Sequence, residues 1–141
     1  MTEIVMSSQG NPSPGFRDRP EHRITVTPFA GVVVVTFGDT VIASSERALA
    51  LKEADYPVVL YIPFEDIYFD LLAPSETVTH CPFKGRASYW NVSASGSARN
   101  DVMWAYQAPY DEMAGIRDHG AFYPNKVRIE ATPDGGSTVD I

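Results

Sequence analysis

Apolar positions in this chain recur with period two far more often than with period 3.6, in short runs broken by glycine and proline. Ile24-Thr25-Val26-Thr27 alternates until Pro28 interrupts it. Between Gly31 and Gly38 the run Val32-Val33-Val34-Val35-Thr36-Phe37 is β-branched almost throughout, which predicts a central strand covered on both faces. Gly38-Asp39 predicts a tight turn into Thr40-Val41-Ile42-Ala43, closing a hairpin. Further strands are predicted over Pro57 to Ile62, Glu76 to Cys81, Ala87 to Val92, Asp101 to Tyr106 and Lys126 to Glu130. Ser93 to Ser97 and Pro133 to Gly136 have turn composition.

Helical signals are fewer. Ser44 to Leu51 carries a cap followed by helix formers, but Asp55-Tyr56-Pro57 ends it, so a short helical turn or irregular segment is predicted. Phe64 to Phe69 reads as one or two turns entered through Pro63. Pro109 to Arg117 is the best helix, with proline and acids at its start and Arg117, His119 and Gly120 at its end. The pattern therefore predicts a mainly β fold: a small antiparallel curled sheet, barrel or sandwich of seven to eight short strands with one or two short helices. One domain spans residues 21–132. Residues 1–20, rich in Ser, Gly, Asn and Pro, read as a flexible arm whose basic end (Arg17, Arg19, His22, Arg23) either is solvated or lies over the domain, and 133–141 as a frayed tail.

Charge narrows the function classes. Eighteen acidic against eleven basic side chains give a net charge of −7, which argues against broad nucleic-acid binding. No run approaches the roughly 20 apolar residues of a membrane span. Met1 to Met6 lacks the basic start of a secretory signal, and the single cysteine, Cys81, excludes an internal disulfide, so a cytoplasmic protein is expected.

The chemistry concentrates in Thr77 to Val92, where one hairpin holds His80, Cys81, Lys84, Tyr89 and Trp90. Neighbours on a strand point to opposite faces, so His80 and Cys81 do not make a ready catalytic pair. Lys84-Gly85-Arg86 puts two cations at a flexible turn suited to an anion. The candidate catalytic residues are Cys81, His80 and Asp66, and the candidate ligand-binding residues are Lys84, Tyr61, Trp90 and Trp104. The expected partner is a small anionic ligand; the alternative is a non-enzymatic module whose acidic surface meets a protein. His22, His80 and His119 are scattered around one cysteine, so neither a metal site nor a cofactor is expected. Gly-rich phosphate loops and hydrolase signatures are absent.

Cys81-Pro-Phe-Lys-Gly-Arg-Ala-Ser-Tyr-Trp90, followed by Trp104, Tyr106 and Phe122-Tyr-Pro124, resembles a bacterial and fungal family, the one numbered 427 among the domains of unknown function. Arg47-Ala-Leu49, Glu53, Tyr61, Pro63 and Asp66 also fit, and the resemblance covers roughly Pro20 to Ala131. It implies a compact β-barrel with short helices and brings no established catalytic residues. A nucleotidyltransferase label sometimes accompanies the family, but the paired acidic metal ligands and glycine-serine motif of the usual nucleotidyltransferases are missing from this sequence.

Overall fold

A computed structural model describes residues 10–141. In chain order these form α1 (Pro14–Asp18), β1 (Ile24–Pro28), β2 (Gly31–Phe37), β3 (Thr40–Ser45), β4 (Leu49–Glu53) and β5 (Val59–Pro63). There follow β6 (Leu72–Cys81), β7 (Gly85–Ala94), β8 (Ser97–Ala105), β9 (His119–Phe122), β10 (Arg128–Pro133) and β11 (Val139–Asp140). All pairings are antiparallel, and the strands make two sheets: seven strands in the order β1-β4-β5-β9-β8-β7-β6, and four in the order β11-β10-β2-β3. The mainly β, antiparallel class is as predicted. No closed barrel forms, and the described residues hold eleven strands: β4 is hidden by helix-like composition, and β9 and β11 are too short to announce themselves as separate runs.

Period two explains how the larger sheet works on both faces. Ile62, Trp90 and Phe122 point toward the four-stranded sheet, where they join Val33, Val35, Ile42 and Ile129 in the main core. Their neighbours Tyr61, Tyr89 and Ala121 point the other way, into a second cluster with Leu51, Tyr106, Met113 and Ile116. β2 lies inside the smaller sheet, between β10 and β3, but only one of its faces is sealed. Val33 and Val35 are fully buried, whereas Val32, on the other face, keeps 37% of its surface, since no described element covers it.

Two helical readings give way to tertiary pairing. Leu49 to Glu53 is a strand between β1 and β5, with Leu51 opposite Val26 and Val59 and almost fully buried. Two ladders and that burial outweigh the weak helical preference of Ala-Leu-Ala-Leu. Over Pro109 to Arg117 only a 3-10 turn forms, Asp111–Ile116, broken at Met113 by φ −112°. Its first-turn acids are used elsewhere: Asp111 accepts from the Asn11 N–H and Glu112 from the Ser13 N–H. Phe64–Asp66 and Phe69–Leu71 are 3-10 turns, close to the one or two turns predicted there.

Of the segment read as an arm, residues 1–9 lie outside the described residues, while Ser13 to Phe16 pack on the domain, with Ser13 1% exposed, and residues 17–20 stay exposed. The end of the chain pairs through β11 with β10. No helix among the described residues is long and apolar enough to cross a membrane. Trp90 packs edge-on against Phe64 and Phe69, at centroid distances of 5.8 and 6.0 Å, where the two sheets meet. Replacing Trp90 with Ala is expected to cost about 3–5 kcal/mol of unfolding free energy, measured by urea denaturation.

Candidate functional site

Cys81 ends β6 and Gly85 begins β7, so Pro82, Phe83 and Lys84 form the connecting turn. Gly85 sits at φ +120°, a conformation side chains rarely adopt, and an added Cβ would lie 3.4 Å from Pro109 Cα. The turn sends Lys84 inward instead of presenting it to solvent. Only 10% of its side chain is exposed, and its ammonium donates to Glu53 Oε1 at 2.5 Å. A lysine this buried requires such a partner.

Glu53 arrives from the end of β4, and its second oxygen, Oε2, lies 2.9 Å from His22 Nε2. The His22 ring stacks on Phe83, with centroids 4.1 Å apart. A carboxylate only accepts, so Nε2 carries the proton in this contact. Burial pushes the Glu53 carboxyl up, but hydrogen bonds from Lys84 and His22, together with their charges, outweigh it and hold the group below its ordinary range. Lys84 Nζ also lies 3.9 Å from Cys81 Sγ.

Glu53, Lys84 and Cys81 border a cavity of about 790 Å³ that opens on the Tyr61 and Tyr89 side of the large sheet and extends past Leu60 and Phe122 to Ile129 and Ile141. Tyr61, Tyr89, Trp104, Tyr106 and Tyr123 supply its aromatic wall; Glu53, Cys81 and Lys84 supply its polar wall. Trp104 Nε1 donates to the Tyr61 hydroxyl at 3.3 Å, with the rings at 85°, and the Tyr123 ring lies 4.5 Å from Trp104. Burial pushes the Tyr61 and Tyr106 phenols far above the ordinary tyrosine range, so both remain protonated at neutral pH. Size and lining match a site for a small organic molecule.

Of the residues singled out from sequence, Tyr61, Cys81, Lys84 and Trp104 share this cavity. Trp90 does not line it: next to Tyr89 on β7, it projects through the opposite face into the core between the sheets. Asp66 belongs to the turn after β5, where it accepts from Ser45 Oγ at 2.6 Å and Arg47 at 3.2 Å. The Ser45 bond leads in holding its carboxyl low. His80 is exposed and bonds the Tyr110 hydroxyl at 2.7 Å, diverging from Cys81 as strand alternation requires. Sequence reasoning missed Glu53 and His22 as partners of Lys84. The available signal was Glu53 standing two residues beyond Leu51, on the same face of one strand.

The family model for the domain of unknown function DUF427 matches residues 25–133. The chain belongs to the DUF427 family. The DUF427 match runs from the second residue of β1 to the end of β10 and so contains Glu53, Cys81 and Lys84, whereas α1 and His22 precede it. None of the curated proteins compared matches the chain. Among the described residues, no three His, Cys, Asp or Glu side chains gather to hold a metal ion.

Lys84→Met leaves the partly buried Glu53 without its main partner and is expected to cost about 1–3 kcal/mol at neutral pH. Because the folded Glu53 carboxyl is depressed, the pair stabilises the protein above the unfolded value, about 4.3, and that contribution is lost as pH falls through the folded value. Chemical denaturation of both proteins from pH 7 to pH 3 is therefore expected to show their difference shrinking in acid.

Proposed function

We propose that the cavity binds a small molecule with a ring-bearing, largely apolar body and an anionic or strongly accepting oxygen group turned toward Lys84. The observation that carries this reading is a buried ammonium set in the wall of an aromatic cavity. An ammonium has three donors; one serves Glu53 and another faces the Cys81 sulfur, which leaves one for a ligand. Trp104 and Tyr123 offer ring faces and edges against which a flat body gains contact, and the protonated Tyr61 and Tyr106 phenols add polar points within the wall. Glu53 penalises a second full charge nearby, which favours a monoanion or a polarised carbonyl over a dianion.

Binding is the activity proposed. Cys81 stands on the wall beside Lys84, whereas Asp66 and His80 stand outside it, so the reading assigns them no part. We place the protein in the cytoplasm, where a free thiol persists.

A panel of aromatic and alicyclic carboxylates, screened by thermal shift and followed by titration, tests the reading. At least one is expected to raise the melting temperature, to lose roughly tenfold or more in affinity with Lys84→Met or Trp104→Ala, and to slow alkylation of Cys81 when bound. No binder in the panel, or binders indifferent to both substitutions, would sink it. Stabilisation by nucleoside triphosphates with a divalent metal would instead favour nucleotide transfer.

A further inference from the structure

The segment ahead of the family match is tied to the site at several points. Gly15 N–H and Ser13 Oγ both donate to the Pro82 carbonyl, at 2.8 and 3.0 Å. A Cβ on Gly15 would lie 2.6 Å from Phe83 Cδ1 and 2.7 Å from the Pro82 oxygen, so α1 can approach the turn this closely only through glycine. Phe16 meets Phe83 edge-on at 5.1 Å. On its other side the segment holds the Asp111–Ile116 turn, through Asn11 N–H to Asp111 Oδ2 at 2.7 Å and Ser13 N–H to Glu112 Oε1 at 2.8 Å. Ser13 is 1% exposed, so this is a buried seam.

The chain then enters β1, whose Ile24 stands opposite Glu53 in the ladder. His22, two residues earlier, is thereby delivered to the same side as Glu53. Each Glu53 oxygen has one side-chain donor, Lys84 on Oε1 and His22 on Oε2. Without the second donor the carboxylate can turn about its last bond, and the ammonium turns with it.

We infer that His22 is a positioning residue for Lys84: the strap of residues 10–22, outside the DUF427 match, fixes the Glu53 carboxylate and through it aims the buried ammonium into the cavity. This deepens the ligand reading by naming what sets the polar wall, but the geometry it concerns exists without ligand. The site of this chain is thus completed by residues its family match does not contain.

The test is hydrogen exchange of the Lys84 ammonium, followed by nitrogen-15 NMR on the full chain without ligand. In the wild-type protein the signal is expected to be protected. His22→Phe keeps a ring on Phe83 but removes the donor, and is expected to speed exchange about tenfold, the scale of one lost hydrogen bond to a charged group. His22→Gln restores a donor and is expected to recover most of the protection. Gly15→Val dislodges the strap without touching His22 and is expected to mimic His22→Phe. Amide spectra of β7 and β8 confirm that each variant keeps the fold. The inference is overturned by a His22→Phe ammonium as protected as wild type, by a glutamine variant no better than the phenylalanine one, or by an unprotected ammonium in the wild type. A failed ligand screen leaves every one of these outcomes readable, so the two proposals fall separately.

Discussion

A lysine and a glutamate withdrawn from water together constrain the rest of this molecule. Moving either charge inward costs several kcal/mol, and the attraction between them offsets that cost only when the geometry is fixed and their remaining hydrogen-bonding capacity is used. The Lys84–Glu53 contact has a fixed geometry, and both oxygens of the carboxylate have a donor. Gly85 shapes the turn that points Lys84 inward, β4 carries Glu53 to meet it, and His22 occupies the second carboxylate oxygen. An apolar pair of similar volume would pack there at less electrostatic cost.

The sheet makes such a wall possible. Because adjacent residues on a strand face opposite ways, β5 and β7 each supply one face to the core between the sheets and the other to the cavity. Ile62 and Trp90 pack in the core between the sheets, while Tyr61 and Tyr89 shape the cavity, which Phe122 also reaches. Core and cavity positions are thereby separated by a shift of one residue along β5 and β7. A substitution at Trp90 acts through stability, and one at Trp104 acts on the cavity.

The fold class and the hairpins around Gly38 and Lys84 were legible because each is written in local alternation and turn residues. Leu49 to Glu53 was not, since its strand character comes from β1 and β5 on either side, and nothing within Leu-Ala-Leu-Lys-Glu announces them. The same limit applies to the site. Tyr61, Cys81, Lys84 and Trp104 stood out by residue type, but Trp90 stood out equally and faces the other way, because its facing depends on the strand's phase against the second sheet. Residues 10–20 were read from their polar composition as part of a flexible arm, of which only the basic end (Arg17, Arg19, His22, Arg23) had the alternative of lying over the domain. Their contacts run through backbone groups and one glycine, which composition does not reveal.

A double-mutant cycle across Lys84 and Glu53 tests the central claim most directly. Unfolding free energies of the wild type, Lys84→Met, Glu53→Gln and the double variant at neutral pH give the coupling between the two side chains without reference to any ligand. The account predicts a coupling of about 2 kcal/mol or more, with the double variant much less destabilised than the two single losses combined. Single effects that simply add would contradict it, for they would show two independent surface groups where the structure has one buried pair.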